Sequence, residues 1–82
     1  MRPILIQGAH PPEVDLLKEH MSSPVEVRVA SFLYWEGELS LTSGAVVRVV
    51  LSVTGIGSAL AAASTALAIH YFNPTAVINQ GT

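Results

Sequence analysis

The stretch from Ala59 to Phe72 constrains this chain most. It is rich in alanine, contains no Asp, Glu, Lys or Arg, and is followed by Pro74. Alanine has the highest helix propensity and proline cannot continue a helix, so the stretch predicts one long helix with a firm stop. On one side lies the apolar run Ala45-Val46-Val47-Arg48-Val49-Val50-Leu51, and on the other Thr75-Ala76-Val77-Ile78-Asn79. Each reads as a strand. A helix between two strands predicts a parallel crossover unit. The small residues of the helix let it lie close against a sheet, with Leu60, Leu67 and Tyr71 expected on roughly one face.

The N-terminal half adds a second layer of pattern. Ile4-Leu5-Ile6 followed by Gly8 reads as a buried strand ending in a turn. Pro11-Pro12 then opens a helix, because proline is tolerated where no backbone donor is needed. Val14, Leu17 and Met21 fall on one face of that helix, while Asp15, Lys18 and Glu19 are expected to face away; Ser22-Ser23-Pro24 should end it. Val25, Val27 and Val29 alternate with Glu26 and Arg28, and Phe32 to Leu39 is rich in aromatic residues. Thr42-Ser43-Gly44 makes a turn into the next strand. Short connections predict that these three strands are antiparallel neighbours. No repeat, low-complexity tract or linker divides the chain, so residues 1–82 read as a single domain, and Gln80-Gly81-Thr82 as a turn that leads nowhere.

Composition excludes several functions. Half of the residues are hydrophobic and 12% are charged, against roughly 25% charged in ordinary globular domains. A chain this short buries only about 60% of its unfolded surface, so it should need more charge rather than less. The deficit implies apolar surface meant for a partner or for further chain. The net charge is −2, and Arg2, Lys18, Arg28 and Arg48 are scattered, which argues against nucleic acid as a ligand. There is no cysteine, which rules out disulfides and thiolate metal sites. The N-terminal apolar run is too short for a signal peptide, and Ser64, Thr65 and His70 make the long helix a poor membrane span. A cytoplasmic protein without membrane partners is expected.

Three segments follow apolar strands and could meet a ligand: Gly8-Ala9-His10-Pro11-Pro12-Glu13, Thr54-Gly55-Ile56-Gly57-Ser58 and Asn79-Gln80-Gly81-Thr82. Small residues there bring backbone amides close to a ligand, although glycines at strand–helix junctions are also ordinary turn chemistry. Glu13 falls in the first turn of a helix, where the dipole favours the ionised form. That suits a base taking a proton from water, but position alone is met as well by a carboxylate that only complements the dipole. Gly55-Ile56-Gly57 lacks the third glycine of a dinucleotide fingerprint, since Leu60 stands there, and no Gly-Lys-Ser/Thr of a P-loop follows. It can hold a ligand or simply pack helix on strand. His10, His20 and His70 show no metal-ligand spacing. Only His10 falls in a candidate loop. Tyr34 and Trp35 could stack on a base or belong to the core.

Taken together, Gly8-Ala9-x-x-x-Glu13-Val14, Trp35-Glu36-Gly37-Glu38-Leu39, Gly55-Ile56-Gly57 and Val77-Ile78-Asn79-Gln80-Gly81-Thr82 resemble, in order and spacing, the 5′-methylthioadenosine/S-adenosylhomocysteine nucleosidases of the purine nucleoside phosphorylase superfamily. The resemblance covers the whole chain but only the first third or so of a family domain, which would continue with Ala-Gly-Gly. It implies an α/β fold of three layers around a mixed, partly barrel-like sheet, truncated here to its N-terminal part. It also implies a cytoplasmic homodimer acting in nucleoside catabolism and methionine salvage. Such an enzyme releases adenine by hydrolysing the N-glycosidic bond of a small-molecule purine nucleoside, with no metal or organic cofactor.

By the same resemblance, Glu13 matches the glutamate that activates the attacking water, and Ile56 an apolar residue lining the 5′-alkylthio pocket. Thr82 matches a Ser/Thr beside ribose and water, and His10 takes the place of a methionine near the ribose. The aspartate that protonates adenine, the adenine-stacking residues and the glutamate that holds the ribose hydroxyls belong to later parts of the family's chain. The 82 residues alone are therefore expected to be inactive. His10-Pro11-Pro12, Ser58 and Gln80 depart from the family pattern and bear on nucleoside preference. A phosphorylase of the same superfamily is the first rival, weakened by the lack of a Gly-Asp-Pro-x-Arg phosphate loop. A non-catalytic oligomeric module is the second.

Overall fold

Residues 2–8, 11–53 and 58–80 are described by a computed structural model. The elements run β1 (Ile4–Gly8), α1 (Pro11–His20), β2 (Ser22–Val29), β3 (Phe32–Ser40), β4 (Val46–Val53), α2 (Ser58–Phe72) and β5 (Ala76–Gln80). The strands form one mixed sheet in the order β2-β3-β4-β1-β5. β2 pairs antiparallel with β3, and β3 with β4, as the short connections require. β1 runs parallel to β4 on one side and to β5 on the other. The crossover through α2 thus joins β4 to β5 by stepping over β1.

Alternation along the strands divides the core in two. Leu5, Tyr34 and Val50 pack with Ala68 of α2, while Val49 and Leu51 pack with Met21 and with Leu17 of α1. Neighbouring residues of β4 point to opposite faces, so the two helices cover opposite sides of the sheet. The result is three layers.

Local chemistry explains each joint. Met21 N–H donates to the Lys18 carbonyl (3.2 Å), closing α1 with a tight turn. β2 starts at once, at Ser22, rather than after Pro24; Ser23 takes the left-handed conformation (φ 51°), and the register with β3 shifts between Ser22 and Val25. Gly37 faces this irregularity. A Cβ there would come within 2.7 Å of the Met21 methyl and 3.1 Å of the Ser22 carbonyl, which gives the glycine of Trp35-Glu36-Gly37-Glu38-Leu39 a packing reason. Between β3 and β4, Leu41 N–H donates to the Ala45 carbonyl (2.8 Å) and Gly44 takes φ 90°, the left-handed residue that a short hairpin loop of this kind uses.

Two sequence-based expectations about side-chain direction fail. Lys18 does not face away from the sheet: its ammonium lies 4.5 Å from the centre of the Trp35 ring. Its aliphatic stem reaches inward while the charge finds the aromatic face. Tyr71 is 60% exposed, because α2 turns Ser64 and Ala68, at helical spacing, toward the sheet. Phe72 follows them on that face and meets Tyr34 edge-on at 5.4 Å.

The far end of α2 is tied to the start of the chain. Asn73 adopts φ 49° and donates to the Ile69 carbonyl (3.0 Å), an αL cap that asparagine tolerates well. Arg2 donates to the Asn73 carbonyl (2.9 Å) and the Pro74 carbonyl (3.1 Å), placing a cation at the negative end of the helix. Thr75 N–H donates to the Pro3 carbonyl (2.9 Å), and β5 begins beside β1.

Candidate active site at the carboxyl edge of the sheet

The three parallel strands end level with one another. Gly8 of β1 stands opposite Val53 of β4 on one side and Gln80 of β5 on the other. Each of the three candidate segments therefore leaves the sheet at the same edge, side by side, which is where open parallel sheets take ligands. α1 starts at Pro11, three residues after the end of β1, so its N-terminus and the positive end of its dipole lie close in sequence to this edge.

Glu13 lies in the first turn of α1, as its spacing from Gly8 predicts. Its side chain lies outside the described residues. So do His10, Ile56 and Thr82, whose segments are located only by the strand ends that they continue.

Directly beneath the edge runs a row of polar side chains, of which Gln7 and Ser52 are not among the residues that the sequence singles out. Tyr34, Ser52, Gln7 and Asn79 are successive register partners across β3, β4, β1 and β5. Two consecutive residues of α2 bind this row. The Tyr34 hydroxyl donates to the Ser64 carbonyl (2.7 Å) and lies 3.2 Å from its hydroxyl, which is also 3.2 Å from the Ser52 hydroxyl. The Thr65 hydroxyl donates to Gln7 Oε1 (2.6 Å), and Gln7 Nε2 donates to Asn79 Oδ1 (2.9 Å). Gln7, Ser52 and Ser64 are buried, so these bonds offset a desolvation cost of order 1–3 kcal/mol for each group. The signal for them was a polar residue breaking an apolar run, after Ile4-Leu5-Ile6 and after Val49-Val50-Leu51. Tyr34 lies in one core cluster and Trp35 packs against the other.

Three of the four cations are engaged elsewhere. Arg2 caps α2 and Lys18 covers Trp35. Arg48 reaches Glu36 (3.2 Å) and Glu38 (3.9 Å). It lines a shallow cleft of about 270 Å³ with Ser22 and Ser23, toward the opposite end of β4 from the candidate edge. Among the described residues, no group of His, Asp and Glu could hold a metal ion, and no helix is long and apolar enough to cross a membrane.

Comparison with known proteins places this arrangement. Residues 3–82 match the family model described as the phosphorylase superfamily. The chain belongs to that superfamily. It is 39% identical over 77 residues to the 5′-methylthioadenosine/S-adenosylhomocysteine nucleosidase of Staphylococcus haemolyticus, covering 94% of this chain and 32% of that protein. The crystal structure of the Neisseria meningitidis nucleosidase in complex with methylthio-immucillin-A superposes with a TM-score of 0.85 at 37% identity, over 99% of this chain and 33% of that one. The Colwellia psychrerythraea nucleosidase in complex with adenine gives the same TM-score at 33% identity, over 99% and 31%. This superfamily member thus spans about a third of the length of the relatives it matches.

Proposed function

We propose that the protein represented by this chain hydrolyses the N-glycosidic bond of 5′-methylthioadenosine and S-adenosylhomocysteine, releasing adenine. Residues 1–82 form the N-terminal portion of a single nucleosidase domain, inactive by itself. The observation that carries the reading is the likeness of nearly the whole chain, at 37% identity and a TM-score of 0.85, to a nucleosidase structure holding methylthio-immucillin-A. The alignment of the three strand ends supports it. Their loops are the ones in which the family resemblance puts the water and the ribose.

In this reading Glu13 takes a proton from water. The resulting hydroxide attacks the anomeric carbon of the sugar, and adenine departs with the glycosidic electrons. Adenine must be protonated to leave, and that acid comes from outside these residues. A helix N-terminus favours the ionised form of a carboxylate, which suits Glu13 to this task. Ile56 packs against the 5′-alkylthio group, and His10 and Thr82 border the ribose. The enzyme works in the cytoplasm as a homodimer, without a cofactor, in nucleoside catabolism and methionine salvage.

Hydrolysis is favoured over phosphorolysis because these 82 residues carry no Gly-Asp-Pro-x-Arg phosphate loop. The test joins residues 1–82 to the remainder of the Neisseria meningitidis relative and follows methylthioadenosine turnover with and without phosphate. Free methylthioribose at a rate independent of phosphate is expected. A phosphorylated sugar product would establish the phosphorylase reading instead.

A further inference from the structure

β5 is the edge strand beside β1, and its residues Ala76 to Asn79 are all exposed. Its two ends are held differently. The start is fixed by main chain and by Arg2, through the bonds of Thr75, Asn73 and Pro74. Toward the other end, a side chain ties it to the neighbouring strand: Gln7, 5% exposed, bonds Asn79 with one end of its carboxamide and Thr65 of α2 with the other. An apolar residue at position 7 would suit a buried parallel strand as well or better. A buried amide satisfied at both ends instead specifies one relative placement of the elements that it joins. Those elements are α2, which follows the segment 54–57, and β5, which leads into residues 81–82.

We propose that Gln7 is a positioning residue: its single carboxamide, held between Thr65 and Asn79, pins the carboxyl end of β5 to β1 and α2. Gln7 touches no substrate in this scheme. Its importance for turnover rests on the reading that Thr82, which follows β5, borders the ribose. The pin itself is tested without turnover, so failure of either idea leaves the other standing.

The experiment is residue-resolved amide hydrogen exchange on the full 82-residue chain, with denaturant midpoints measured alongside. Gln7→Leu should speed exchange at residues 77–80 by about tenfold, the factor corresponding to the net worth of one hydrogen bond. The amides of β2, β3 and β4 should change by less than about twofold. Asn79→Ala alters an exposed residue, so it keeps the fold even if Gln7→Leu does not, and it should give the same local effect. The double variant should add nothing further. Thr65→Val should loosen β5 through Gln7, while Thr65→Ser, which keeps the hydroxyl, should not. A general role in stability would speed all strands together and lower the midpoint in step. Either that uniform pattern, or unchanged exchange at 77–80 in folded Asn79→Ala, overturns the proposal.

Discussion

Tyr34 shows how much one atom decides in a core this small. Its hydroxyl is fully buried and is satisfied by Ser64 of α2. Tyr34→Phe keeps the ring against Phe72 but leaves the Ser64 and Ser52 hydroxyls to each other. It should cost about 1–2 kcal/mol, read as a lower denaturant midpoint with an unchanged slope. Gly37 is decided by sterics instead. Gly37→Ala puts a methyl group into the Ser22 backbone and the Met21 side chain. A destabilisation of roughly 1–3 kcal/mol is expected, since the Ser22 carbonyl cannot swing aside as a flexible side chain would. A Gly37→Ala protein as stable as the parent would show that the β2 irregularity yields freely.

At the scale of elements, the hairpin between β2 and β3 carries avoidable strain. Val29 pairs with Phe32, leaving Ala30 and Ser31 as the turn, and Ala30 has φ 55°. A residue with a Cβ pays for that conformation, so Ala30→Gly or Ala30→Asn should raise the melting temperature, by about 0.4–1 kcal/mol in stability. No change would mean that the relief is matched by the added freedom of the unfolded chain. Much of the element pattern was legible in the sequence, because period and punctuation are local: apolar runs for β1, β4 and β5, alanines and Pro74 for α2, and Thr42-Ser43-Gly44 for its hairpin. What was not legible depends on register. Nothing near Lys18 in sequence announces Trp35, and nothing near Gln7 announces Thr65 or Asn79. The same holds for the site. Glycines after apolar strands located three loops, and the parallel register of β1, β4 and β5 set their origins in line. The roles of Glu13, His10, Ile56 and Thr82 rest on family resemblance.

At the scale of the molecule, the low charge content finds its counterpart on the surface. Ile69 and Tyr71 on α2 and Val77 and Ile78 on β5 are exposed, and α2 carries no charged residue. A helix apolar all round is normally a buried one. The 82-residue chain should therefore associate with itself as its concentration rises, and sedimentation equilibrium reads this directly. A strict monomer at all concentrations would contradict the view that these faces await cover. Spanning about a third of its nucleosidase relatives, the chain brings one wall of the candidate site and a candidate base.

That base is the point on which the functional account turns. The direct measurement is adenine release from methylthioadenosine by residues 1–82 joined to the remainder of the Neisseria meningitidis relative, with Glu13 and with Glu13→Gln. Release is expected with Glu13, and a loss of about 10²–10⁴-fold with Glu13→Gln, the range of a positioned general base, while nucleoside binding persists. Equal release from both would contradict this, and Glu13 would then be a carboxylate that merely complements its helix.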